Sequence, residues 1–103
     1  MINNIKKTEK SVCGTSFYYG YVYASGNEIA KICGDPFEVW DDKTLYEWHL
    51  ESNGIVFTIY DYRSIIRDMD DVIYYHIGTL NEEDTKKVIK ILKENGLDAY
   101  YDN

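Results

Sequence analysis

The chain has 103 residues, with 18 acidic side chains against 11 Lys and Arg and a formal charge of −7, which is the length of one domain of about 100–150 residues. That acidity excludes a general grip on nucleic acid, which works through Lys and Arg neutralising phosphates. A hydrophobic content of 45% is too high for intrinsic disorder. No apolar run approaches the roughly 20 residues that span a bilayer, and the first ten residues lack the apolar core of a signal peptide, so a cytosolic protein without membrane contact is expected.

Charge is unevenly spread along the chain. Residues 1–34 sum to +2 and residues 85–103 to +1, whereas residues 35–84 carry thirteen acids against Lys43, Arg63 and Arg67 and sum to −10. Such a concentration steers basic partners and speeds their association.

Residues 1–11 are polar with no sustained period and read as a flexible leader, or a loosely attached edge, ahead of a single domain over residues 12–103. The aromatic and β-branched run from Phe17 to Tyr23 predicts a strand, with Gly20 marking a bulge or a close backbone approach. Ser25 or Asn27 is placed to cap a short helix over Glu28 to Cys33, which Gly34-Asp35-Pro36 stops. Around Ser52-Asn53-Gly54-Ile55 the Asn-Gly pair predicts a type I′ hairpin. With those two residues as the loop, Leu50 faces Phe57, Trp48 faces Ile59 and Tyr46 faces Asp61 on the core side. Glu51 with Val56, His49 with Thr58, Glu47 with Tyr60 and Leu45 with Tyr62 share the reverse side. A one-residue slip would bury Glu47, His49 and Glu51, so the register is well specified.

Residues 63–71 read as a loop or a single helical turn. Val72 to Ile77 returns to strand, ended by Gly78. Thr79-Leu80-Asn81-Glu82 is a capping-box pattern, with Asn81 as a competing cap, for a helix running to Asn95-Gly96. Leu97 to Tyr101 adds an edge strand. The order β-α-β-β-β-α with that extra edge predicts a two-layer α+β domain: an antiparallel sheet of about four strands with two helices on one face. The opposite face is then left to solvent or a partner.

Catalytic signatures are absent: there is no GxSxG, HExxH, P-loop or GxGxxG. Cys13 and Cys33 lack CxxC spacing and read as ordinary small residues, and the scattered two His and two Cys match no zinc-ligand pattern, so no metal and no cofactor is expected. What the open face offers is Glu47, His49, Glu51, Tyr60 and Tyr62, joined by Tyr19 and Tyr21 among the tyrosines of the first strand and rimmed by Asp68, Asp70 and Asp71. Tyr provides large contact area at modest entropy cost. A non-enzymatic inhibitor that occupies a basic, nucleic-acid-binding site on another protein is the leading expectation, and the same face suits a homodimer interface. The alternative is a nucleotide-sequestering protein that stacks bases on Tyr and holds phosphate with His49, Arg63 or Arg67. A metal-dependent hydrolase through Glu47, His49 and Glu51 ranks third.

The segments Gly34-Asp35-Pro36, Glu47-Trp48, Thr58-Ile59-Tyr60-Asp61-Tyr62 and His76-Ile77-Gly78 resemble a pattern of small phage-encoded accessory proteins: Gly-x-Pro, Glu-Trp, Thr-Ile-Tyr-Asp-(Tyr/Trp), His-Ile-Gly. The likeness spans residues 26–78, with Arg63 standing where that pattern has Lys. It brings no catalytic residue. What it implies is context: a compact protein that blocks host machinery, including defence nucleases, in the manner of anti-CRISPR proteins.

Overall fold

The structure is a computed structural model that describes residues 4–38, 46–61 and 68–102, at Tyr18 the backbone alone. Seven strands and two helices follow one another as β1 (Lys6–Lys7), β2 (Phe17–Ser25), α1 (Gly26–Cys33), β3 (Phe37–Glu38), β4 (Tyr46–Ser52), β5 (Ile55–Tyr60), β6 (Val72–Thr79), α2 (Glu82–Glu94) and β7 (Ala99–Tyr101). The strands form one antiparallel sheet in the order β1-β4-β5-β6-β2-β7, and β3 pairs with the end of β4 that β1 leaves free. The architecture is the expected α+β one, with three short strands beyond the four expected; of these, β7 is the anticipated extra edge.

Local chemistry explains most elements. Asn53 and Gly54 both take positive φ, 52° and 80°, as a type I′ turn requires. The hairpin register is the one the pattern demands, with Glu47 opposite Tyr60, Trp48 opposite Ile59 and Leu50 opposite Phe57. Ser25 caps α1 through a full capping box with Glu28. At α2 the cap is Asn81, whose side chain accepts the Asp84 N–H at 2.9 Å. Thr79 is drawn instead into a buried hydroxyl pair with Thr85, 2.6 Å apart. Past Asn95 the helix ends in a Schellman motif: the Leu97 N–H reaches the Leu92 carbonyl and the Gly96 N–H that of Lys93, both at 3.0 Å. Gly78 does not end β6, which continues through Thr79.

Both helices pack on the same face of the sheet. Ile29 and Cys33 of α1 and Val88, Ile91 and Leu92 of α2 join Val22, Trp48, Leu50, Phe57, Ile59, Tyr75 and Ile77 in one core. The indole N–H of Trp48 donates to the Gly34 carbonyl at 2.8 Å and ties the end of α1 to the hairpin. Asp61 is buried, and its carboxylate accepts the Tyr46 backbone N–H at 3.0 Å, continuing the hairpin beyond its last ladder pair. The bulge expected near Gly20 lies between Phe17 and Gly20. There a Cβ would come within 2.9 Å of Thr85 on α2.

Over residues 4–8 the chain is an attached edge and not a flexible leader. Ile5 and Thr8 are buried, Lys6–Lys7 pairs with Leu50 and Glu51, and Asn4 accepts from the Asn95 side chain. Two charged residues in a row carry no strand period, so this edge is invisible to pattern reading; burial of Ile5 holds it.

The two cysteines are free. Burial pushes the Cys33 thiol up to about 12, whereas Cys13 is exposed. A thiol reagent at neutral pH is therefore expected to add one label per native chain, on Cys13, and a second only in denaturant, as read by intact mass. Two rapid native labels would contradict the packing of α1.

Candidate functional site

On the face away from the helices, cross-strand pairing lines up one row of side chains across the whole sheet. Phe37 of β3 stands beside Glu47, Glu47 beside Tyr60, Tyr60 beside His76, His76 beside Tyr21 and Tyr21 beside Tyr100. Adjacent members are separated only by the strand spacing of about 4.8 Å, so the rings meet. Tyr60 stacks on His76 with centroids 5.5 Å apart and planes 15° apart, and Tyr21 packs on the other flank of His76 at 4.9 Å. His49 contacts the Glu47 carboxylate through Nε2 and meets the Phe37 ring edge-on at 5.0 Å.

Beside this row, Tyr23 and Tyr74 pair at 4.6 Å and Tyr74 reaches Tyr100 at 6.1 Å. Burial and a hydrogen bond with the Tyr74 hydroxyl push the Tyr100 phenol up to about 12, so that phenol stays neutral at physiological pH. Tyr23, Val72 and Tyr74 are 41%, 50% and 54% exposed. Their side chains fall on one face, because Val72 and Tyr74 are two apart in β6 and Tyr23 is the partner of Tyr74.

Carboxylates from distant parts of the chain gather at this end of the sheet. After burial, the groups that raise the Tyr46 phenol are Glu38, Asp68, Asp61 and Asp71. Asp98 lies next to Tyr23, which donates its N–H to the Asp98 carbonyl at 2.8 Å. The Asp68 and Asp71 carboxylates also close their own turn, accepting the N–H groups of Asp70 and Asp68 at 2.8 and 3.0 Å, while Asp70 accepts from the Asn27 side chain.

The open face is not wholly open. From β1 at one edge the chain must reach β2 beyond β5 and β6, and it does so as a strap across the outer face. Its start is anchored by the Thr8 N–H donating to the His49 carbonyl at 3.0 Å. The Thr8 hydroxyl donates to Glu51, and Lys10 and Lys6 lie 3.2 and 3.9 Å from the same carboxylate. These partners hold the Glu51 carboxyl below its usual range, the Thr8 bond contributing most. A tight turn follows in which Thr15 donates through both N–H and hydroxyl to the Val12 carbonyl. The Thr15 carbonyl then rests over Gly78, at 2.5 Å from where a Cβ would lie, and Thr58 beneath it is buried. Between strap and sheet is a shallow notch of about 340 Å³ lined by Val12, Thr15, Ser16, Glu47, Thr58 and Tyr60.

The expected site residues therefore separate. Glu47, Tyr60 and Tyr21 share the central row, with His49 beside Glu47, whereas Tyr19 is exposed and packs edge-on against Phe17. Asp68, Asp70 and Asp71 lie in a turn held against the start of α1, where the Asn27 N–H donates to the Met69 carbonyl and its side chain to Asp70. Glu51, expected on a free surface, instead anchors the strap, because Lys6, Thr8 and Lys10 are carried to it by β1. Tyr62, Arg63 and Arg67 lie outside the described residues. Glu47, His49 and Glu51 do not converge, and among the described residues no cluster of three His, Cys, Asp or Glu is placed to hold a metal ion. Tyr74 and Tyr100 were missed: the aromatic content of residues 72–77 and 97–101 marked strands, but not which strand each would join.

The fold and this face define a small α+β domain that presents an aromatic outer sheet surface. Comparison with protein-family models, curated proteins and solved structures finds no match for the chain. Among the described residues no helix is long and apolar enough to cross a membrane.

Proposed function

We propose that this chain is a non-enzymatic binding protein whose acidic, tyrosine-rich outer sheet face occupies a basic surface on a partner protein. The observation that carries the reading is the exposed Tyr23–Val72–Tyr74 patch in a chain of net charge −7. Contiguous exposed apolar area marks interaction sites. Tyrosine is among the residue types that most often anchor such contacts, and a net negative charge favours a basic partner through electrostatic steering. Nucleic-acid-binding sites are strongly basic surfaces, so blocking one on a host defence or nucleic-acid-processing protein is the mode of inhibition this face suits. Two free cysteines accord with action in the cytosol.

The test is capture from a cell lysate at low and high salt by the wild-type chain and by Tyr23→Ser/Tyr74→Ser. A basic polypeptide held by the wild type, released by salt and bound at least about tenfold more weakly by the double variant is the expected result. Equal capture by the variant, or salt-insensitive capture, would overturn the reading. So would concentration-dependent dimerisation lost in the double variant, which would assign the face to a second copy of this chain.

A further inference from the structure

We infer that the outer ridge of α2, on the side of the molecule away from the tyrosine face, is a second docking surface, and that it takes a short acidic segment with apolar side chains from a partner polypeptide. This goes beyond the reading above and does not depend on it.

The ridge reverses the sign of the chain. Residues 85–93 hold four lysines and no Asp or Glu, in a protein of net charge −7. Lys86, Lys87, Lys90 and Lys93 are all exposed. Lys86 lies 3.8 Å from Glu82, whereas Lys87, Lys90 and Lys93 have no ion-pair partner among the described residues. The helix macrodipole accounts for Lys93 in the last turn. It acts only close to the helix end, so it leaves Lys86, Lys87 and Lys90 unexplained.

The ridge is also grooved. Helical spacing sorts the lysines into two stripes that share Lys90. Along one flank, Lys86, Ile89, Lys90 and Lys93 border a groove of about 470 Å³. On the other, Lys87, Lys90 and Ile91 face Asn53 and Ile55 of the hairpin across a groove of about 390 Å³. Glu94 lines both grooves. Each groove therefore offers isoleucine side chains between exposed ammonium groups.

Charge and length select the occupant. From Lys86 to Lys93 the helix rises only about 10 Å, with Glu82, Glu83 and Asp84 before that stretch and Glu94 after it. A nucleic acid or an anionic bilayer, whose charge continues beyond this length, would be pressed against those carboxylates and the acidic remainder of the chain. A short acidic segment meets the lysines alone. Its apolar side chains can enter the isoleucine-lined grooves, as hydrated phosphates do not.

The probe is acetyl-Asp-Leu-Glu-Asp-Leu-Glu-amide, titrated into the full ¹⁵N-labelled chain at low and high salt. The same peptide with Ala in place of Leu, a short DNA strand and phosphatidylserine vesicles are run in parallel. Saturable amide shifts over residues 86–94 and at Asn53 and Ile55 are expected, weakened by salt and about threefold weaker or more with the Ala peptide. Lys90→Gln, at the position common to both grooves, should weaken binding about threefold. Lys31→Gln removes the same charge from an exposed position of α1 and should leave binding unchanged. Gln keeps the helix propensity of Lys, so both variants retain the fold. Absent shifts, equal weakening in the two variants, or equal binding of the two peptides would overturn the proposal. Tighter binding of the DNA or the vesicles would also overturn it, in favour of an extended polyanion. So would self-association that is lost in Lys90→Gln, which would assign the ridge to a second copy of this chain.

Discussion

Trp48→Ala is expected to lower the unfolding free energy by about 3–5 kcal/mol, the range for deleting a large buried aromatic side chain. Trp48 is 1% exposed and is among the largest fully buried side chains. It packs edge-on against Tyr75, with ring centroids 5.5 Å apart. Its N–H satisfies the Gly34 carbonyl, so the change opens a cavity and strips a carbonyl at the end of α1 of its partner at once. Against a total stability of about 5–15 kcal/mol for a domain of this kind, much of the folded population would be lost on mild warming. Urea unfolding followed by far-UV circular dichroism gives the number directly. Trp48→Phe separates the contributions: it refills most of the space but cannot donate, and so isolates the hydrogen bond at about 1 kcal/mol. A loss below about 1 kcal/mol in Trp48→Ala would mean that α1 is not fastened to the hairpin through this residue.

Gly78→Ala is the second large effect, and its cause lies on the opposite face. A methyl group at position 78 would stand 2.5 Å from both the Thr15 carbonyl oxygen and the Thr58 hydroxyl. The first is backbone and cannot rotate away. Overpacking of this kind costs about 1–3 kcal/mol, and the cheapest relief is for the strap to lift off the sheet. The expected outcome is a stability loss of that size, together with faster hydrogen exchange at the Thr15 amide, which donates to Val12, and at the Thr8 amide, which donates to His49. A neutral Gly78→Ala with unchanged exchange would show that the strap yields without detaching.

The contrast between these two positions shows how far the amino-acid order carries. Trp48 was legible as core because strict alternation over residues 46–52, against the pattern of residues 55–60 across an Asn-Gly turn, permits only one register that does not bury carboxylates. Period-2 alternation and turn chemistry are local properties, and so are the caps at Ser25 and Asn81. Gly78 was legible only as a plausible strand end. Its true role depends on a carbonyl 63 positions earlier in the chain passing over it, and no local pattern encodes that.

The same division runs through the candidate site. Glu47, His49 and Tyr60 were placed on a common face by hairpin register alone. The row that contains Glu47 and Tyr60 was completed by His76, Tyr21 and Tyr100, whose alignment depends on β6, β2 and β7 pairing across long sequence separations. Glu51 shows the reverse: its position on the outer face followed from the hairpin, but its accessibility was decided by Thr8 and Lys10, more than forty positions away. Alternation, capping and charge, set by neighbours a few residues apart, were enough to specify an acidic α+β domain with a polar aromatic sheet face. Which part of that face stays exposed, and where a strap shelters it into a pocket, is settled by long-range strand pairing, because chain segments compete for the same surface only once the sheet has assembled.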